Sequence, residues 1–132
     1  MRESPPTRHH VTTIAIIEDD ASLILAVSRL LEAAGFETRC FQSADAALAD
    51  AEAGKADCLL LDVYLPEMTG FELQRRLAAA GSTTPVVVIT AHDDPMHLRA
   101  ARDIGACAYL VKPFSSMSLL DAVRRATASR GQ

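Results

Sequence analysis

The chain has 132 residues, 49% of them hydrophobic and 23% charged, a mixture that suits one folded domain and excludes a disordered chain, a collagen-like repeat and a low-complexity scaffold. Its 13 Lys and Arg stand against 17 Asp and Glu, a net charge of -4, so no global positive field draws nucleic acid or an anionic membrane to it. No apolar run reaches the roughly 18 residues of a membrane span and the N-terminus lacks a secretory signal, so the expected location is cytoplasmic.

Residues 1–11 mix prolines, arginines, His9 and His10 without an apolar period, and are expected to form a flexible arm with solvated histidines. From 12 to 127 one unit repeats: a β-branched or Leu-rich run, a polar turn, then an amphipathic stretch. The predicted strands are Thr12–Ile17, Glu37–Phe41, Cys58–Asp62, Val86–Thr90 and Ala106–Val111, and the predicted helices are 20–34, 43–53, 69–80, 94–104 and 115–128. Residues 128–132 are expected to be a tail or the start of a linker. Gly35, Gly54, Gly81 and Gly105 mark helix ends, while Ser43, Asp94 before Pro95, and Ser115 can cap helix starts. Thr69 and Glu72 have the spacing of a capping box. Cys40, Cys58 and Cys107 form no Cys-x-x-Cys pair, so they are expected to be small buried thiols and not a zinc site or disulfide framework.

Several predicted strands are apolar throughout, the mark of a parallel sheet buried on both faces. Strict βα alternation predicts a doubly wound α/β sandwich, which binds ligands beyond the carboxyl ends of its strands. Those ends carry Glu18-Asp19-Asp20, Asp62, Thr90-Ala91-His92 and Lys112-Pro113. Clustered carboxylates need a cation, and a hard oxygen-only set suits Mg²⁺. Asp62, fixed and partly desolvated, is placed to attack a phosphoryl group, with Lys112 as a point charge and Thr90 as a hydroxyl donor for its oxygens. Singly each residue has an ordinary reading: Asp20 as a helix cap that Asp19 or Glu18 shares, Lys112 as a solvated side chain, Thr90 as a β-branched strand end. The combination carries the specificity.

From Thr13 to about Ala126 the chain resembles a response regulator receiver domain (CheY-like) of two-component signalling. The matching motifs are Ile16-Ile17-Glu18-Asp19-Asp20, Leu59 to Gly70 around Asp62, Val88-Ile89-Thr90-Ala91, and Gly105-Ala106 before Tyr109-Leu110-Val111-Lys112-Pro113-Phe114. The wording is closest to receivers of transcription regulators of the FixJ type. The resemblance implies a flavodoxin-like five-stranded parallel sheet in the order 2-1-3-4-5, with helices on both faces. It implies Asp62 as phosphoacceptor, Asp19 as direct Mg²⁺ ligand, Glu18 as a ligand through water, and the Tyr64 backbone carbonyl as a further ligand. Thr90 and Lys112 match the phosphate-contacting pair, Tyr109 the aromatic switch, and Lys112-Pro113 a bond that is usually cis. Implied partners are a sensor histidine kinase or phosphotransfer protein, and a second receiver through the fourth helix, fifth strand and fifth helix. The chain would be a signalling phosphoacceptor that catalyses only its own phosphorylation and dephosphorylation, not an enzyme acting on other substrates.

Glu18 departs from the family, which more often has Asp there. Tyr64 and His92 each lie two residues past a key position, flanking the path of water. Tyr64 is expected to shield the acyl phosphate and His92 to modulate the same step; the plainer alternatives are an exposed aromatic and a solvated loop histidine. Met96, Ala100, Ile104, Met117, Leu120 and Val123 fall at helical spacing, for core packing or a partner surface. Arg99, Arg102, Arg124 and Arg125 form a basic rim or a solvated face. A haloacid dehalogenase-type phosphatase wants a second Asp where Tyr64 stands, and a flavin module would be repelled by Glu18, Asp19 and Asp20. A receiver-like module that never takes phosphate is opposed by the complete acid, Thr and Lys set.

Overall fold

The computed structural model describes residues 11–130. Met1 to His10 of the expected arm, with His9 and His10, and the last two residues of the expected tail lie outside that span. Five strands, β1 (Thr13–Ile17), β2 (Glu37–Phe41), β3 (Cys58–Asp62), β4 (Val86–Thr90) and β5 (Ala108–Val111), form one sheet in the order β2-β1-β3-β4-β5. All pairings are parallel. The expected doubly wound sheet is therefore the observed one.

Every residue of β3 and β4 is buried, and within these continuous apolar runs alternate side chains enter opposite layers. Ala15, Ile17, Leu59, Leu61, Val86 and Val88 pack with α2 (Ala44–Ala49), α3 (Gly70–Ala79) and α4 (Pro95–Asp103). Ile14, Ile16, Cys58, Leu60, Val87 and Ile89 pack with α1 (Ala21–Ala33) and α5 (Ser116–Arg130). A large-to-small change in either layer, such as Leu60→Ala, costs about 2–5 kcal/mol.

Helix starts follow the expected chemistry. Asp20, Ser43, Thr69 and Asp94 cap α1 to α4 through side-chain oxygens, and the Ser118 N–H donates to Ser115 Oγ at 3.0 Å. The capping box is half made: the Glu72 N–H donates to Thr69 Oγ1, but the Glu72 carboxylate pairs with Arg75 and Arg76. Gly35, Gly81 and Gly105 take positive φ after α1, α3 and α4, a conformation that spares glycine the Cβ penalty.

Five expectations need correction. The second helix ends at Ala49 and not 53, because Asp50 turns extended and its Oδ1 accepts from the Glu52 N–H at 2.7 Å while Arg39 holds Oδ2 at 3.1 Å. Gly54 lies inside the short 3-10 turn Ala53–Lys55 and ends no helix. The fifth strand starts at Ala108 and not Ala106, since the Ala106 N–H closes α4 by donating to Ala101 O. The fifth helix continues to Arg130, through residues 128–130 expected as tail. Only Cys58 among the thiols is fully buried, and its pKa is pushed up to about 12 by burial. Cys40 is exposed on the edge strand and Cys107 is half-buried.

Val123 is buried and Ala100, Ile104 and Leu120 are partly covered, but Met96 and Met117 are 71% and 76% exposed. Core packing thus accounts for part of that stripe and leaves two methionines in solvent. Arg99, Arg102, Arg124 and Arg125 are exposed. No helix among the described residues is long and apolar enough to cross a membrane.

Candidate functional site

In a doubly wound sheet the helices after β1 and β3 leave on opposite faces, opening a crevice between the two strand ends. Glu18 and Asp19 follow β1, and Asp62 is the last residue of β3. Carboxylate oxygens of Glu18, Asp19 and Asp62 lie within 4.8 Å of one another. Asp20 is not part of this group, because its Oδ1 caps α1 by accepting from the Ser22 and Leu23 N–H groups at 2.9 and 3.2 Å.

Glu18 and Asp62 are 1% and 3% exposed, while Asp19 faces solvent. Glu18 Oε2 accepts from the Asp20 N–H at 3.0 Å, and Asp62 Oδ1 from the Tyr64 N–H at 3.4 Å. Lys112, just past β5, reaches back so that Nζ lies 2.8 Å from Glu18 Oε1 and 3.5 Å from Asp62 Oδ2. The Glu18 contact is an ion pair out of hydrogen-bond alignment, which leaves the buried Oε1 without a hydrogen-bond partner. Burial first, and the Glu18 charge second, push the Asp62 carboxyl from 3.8 up to about 6, against the pull of the Lys112 ammonium and the Tyr64 N–H. Burial alone would lower Lys112; its contact with Glu18 and the charges of Asp62 and Glu18 outweigh that and raise it above 10.5.

Three carboxylates against one ammonium leave a surplus of negative charge at the crevice, where Glu18 and Asp62 are buried and Asp19 is exposed. With Glu18 and Asp62 buried and a single ammonium to offset three acids, this oxygen-only set fits a hard divalent cation such as Mg²⁺.

Thr90 ends β4 next to this group and is fully buried. Its Oγ1 donates to His92 O at 3.1 Å and accepts from the His92 N–H at 3.1 Å. The Lys112 N–H donates to Thr90 O at 2.8 Å, and the Lys112-Pro113 peptide is cis. Tyr109 lies in the middle of β5, half-buried, its hydroxyl 3.4 Å from Asp93 Oδ1; burial and then the Asp93 charge raise its phenol above 10.0.

Tyr64 is 46% exposed, and its ring meets the His92 ring edge-on at 5.3 Å. It also meets a residue that sequence reasoning passed over: His97, in the first turns of α4, whose Nε2 is 3.1 Å from the Tyr64 hydroxyl. Histidine five positions past His92 follows no period, so nothing in the sequence singled it out.

A parallel sheet with carboxylates gathered between β1 and β3 falls in the flavodoxin-like class. A family model described as the response regulator receiver domain matches residues 14–124, and the chain belongs to that family. It is 40% identical over 116 residues to the response regulator protein TmoT of Ectopseudomonas mendocina, an alignment spanning 87% of this chain and 52% of that protein. The chain thus spans about half the length of the curated relatives it matches. Among solved structures, a CheY-like receiver domain protein from Methanospirillum hungatei superposes with a TM-score of 0.85 at 24% identity, covering 92% of this chain and 98% of that one. The BeF3-activated receiver domain of DrrB, from Thermotoga maritima, superposes with a TM-score of 0.81 at 28% identity, covering 90% and 99%.

Proposed function

We propose that this receiver domain accepts a phosphoryl group on Asp62 in a Mg²⁺-dependent reaction and passes the change to an output surface. The observation that carries the reading is the meeting of Glu18, Asp19 and Asp62 at one crevice with the Lys112 ammonium between two of them. Asp19, Asp62, the Tyr64 carbonyl and, through water, Glu18 would hold the ion. Bound Mg²⁺ supplies charge neutralisation of the carboxylates and the phosphoryl oxygens.

An Asp62 carboxylate oxygen bonds to phosphorus as the donor bond breaks, P–N in a phosphohistidine or P–O in acetyl phosphate, and the bonding pair leaves with imidazole or acetate. With its carboxyl raised to about 6, Asp62 stays mostly ionised at neutral pH and is more basic than a solvated aspartate. Lys112 and the Thr90 hydroxyl face the added oxygens, Thr90 first giving up its bond to His92 O. Tyr109, at the middle of the neighbouring strand, is the aromatic that responds. Tyr64 shields the acyl phosphate and His92 tunes its loss.

The donor is a sensor histidine kinase or phosphotransfer protein, which puts the chain in the cytoplasm. The face of α4, β5 and α5, where Met96 and Met117 stand out, serves a second receiver. The chain itself binds neither nucleic acid nor membrane, and it acts on no substrate but its own aspartate. Residues 12–127 are the receiver unit, and the greater length of the relatives favours an output domain joined to it. A phosphatase acting on other substrates is disfavoured because Tyr64 stands two residues after Asp62, where a general acid would be needed.

Incubated with acetyl phosphate and Mg²⁺, the chain should gain the mass of one phosphate. A chelator should abolish that gain. An unchanged mass overturns the acceptor reading, and a gain that survives chelation overturns the cation's part.

A further inference from the structure

The ring cluster beside the crevice has a hydrogen-bond order that can be worked out. His97 Nδ1 lies 3.1 Å from His92 O. A carbonyl accepts and never donates, so Nδ1 carries the hydrogen. In the neutral ring Nε2 is then an acceptor, and the Tyr64 hydroxyl 3.1 Å away must donate to it. His97 is half-buried, its ring 5.3 Å from Tyr64 at 74° and 6.3 Å from Phe71. One imidazole thus ties together the loop after β3, the loop after β4 and the first turns of α4.

Tyr64 is anchored at its other end on the site itself, through its N–H to Asp62 Oδ1. Its ring, edge-on to His92 as well, spans the two loops that flank Asp62 and Thr90. His92 O accepts from His97, from the Thr90 hydroxyl and from the Asp94 N–H at 3.0 Å. When Thr90 turns towards phosphate, that carbonyl keeps the His97 and Asp94 N–H donors, which lowers the cost of the move.

We propose that His97 is a positioning residue that sets the lifetime of the phosphorylated state by holding the Tyr64 ring across the two loops beside Asp62. This rests on the acceptor role of Asp62. Loss of phosphate proceeds as water oxygen bonds to phosphorus, the P–O bond to Asp62 breaks and the pair returns to the carboxylate. The water's protons pass to solvent and to the departing inorganic phosphate. The held ring obstructs the approach of that water.

The test follows phosphate decay by mass spectrometry after acetyl phosphate is removed, for the native chain, Tyr64→Phe, His97→Ala, His97→Gln and the Tyr64→Phe/His97→Ala double variant. Tyr64→Phe deletes one hydroxyl and keeps the ring, so folding is not at issue. Each of Tyr64→Phe and His97→Ala should speed decay roughly three- to tenfold, the rate equivalent of one hydrogen bond. The double variant should decay no faster than the faster single one, and His97→Gln, which keeps an acceptor for the Tyr64 hydroxyl, should return most of the native lifetime. Phosphate uptake should be alike in the native chain, His97→Ala and His97→Gln. Unchanged decay in either single variant, multiplicative effects in the double, or failure of Gln to rescue overturns the role of His97 and leaves Asp62 as acceptor. A native chain that takes no phosphate overturns both.

Discussion

Replacing Asp62 by Asn should abolish phosphate uptake and at the same time make the metal-free protein harder to unfold. The first effect is chemical: the amide is a poor nucleophile and leaves no labile acyl phosphate, and neither Glu18 nor Asp19 substitutes, the one held by Lys112 and the Asp20 N–H, the other exposed at the crevice mouth. Mass spectrometry with acetyl phosphate and Mg²⁺ reads it directly. A gain of phosphate equal to the native chain's would place the acceptor elsewhere.

The second effect follows from the raised carboxyl of Asp62. A group whose folded pKa exceeds its unfolded value contributes stability that is present at low pH and lost as pH rises through the folded value. Here the loss runs from the ordinary 3.8 up to about 6. Above that window the ionised, buried carboxylate costs the fold about 2–3 kcal/mol, and Asn removes the cost. In urea with a chelator present, the Asp62→Asn midpoint should therefore lie above the native one at neutral pH. The two should converge as pH falls towards 4. A variant less stable than the native chain at neutral pH would show that the carboxylate is well compensated without metal.

Gly70→Ala should be among the most damaging single-methyl additions in the chain. Gly70 opens α3, buried, with its N–H donating to Val63 O at 2.8 Å. A Cβ there would overlap the carbonyl oxygen of Asp62 and press on Leu61 Cγ at 3.0 Å. Its φ is not in the left-handed region, so the constraint is space and not backbone conformation. Overpacking against backbone in a rigid core costs about 1–3 kcal/mol. The strain falls on Asp62 itself, and phosphate uptake should drop together with the unfolding midpoint. Uptake at the native rate would mean that α3 shifts away without moving the strand end.

The sheet was legible because its central strands are continuous apolar runs bounded by polar turns: Cys58–Asp62 and Val86–Thr90 have the same bounds in sequence and structure. The crevice was legible because strand ends in such a sheet converge, whatever the sequence distance between Asp19 and Asp62. What escaped were features set by contacts across the fold. Alanine-rich 44–53 has helical composition throughout, but Asp50, paired with Arg39 of β2, turns extended and stops the helix early. Gly70 stood in the sequence as one letter of a motif, with nothing to reveal that the Asp62 carbonyl occupies the place of its side chain. The Glu18 to Lys112 contact and the Tyr64 to His97 bond join residues far apart in the chain, and no local pattern encodes either.

The division of alternate strand residues between two separate layers also bears on how such a protein can diverge. Side chains on one side of the sheet do not touch those on the other, and substitutions without shared neighbours act nearly independently. A lineage can thus remodel the α2 to α4 side under selection for one contact while the α1 and α5 side keeps an older specificity, the shared hydrogen-bonded strands acting as a partition between two evolutionary histories.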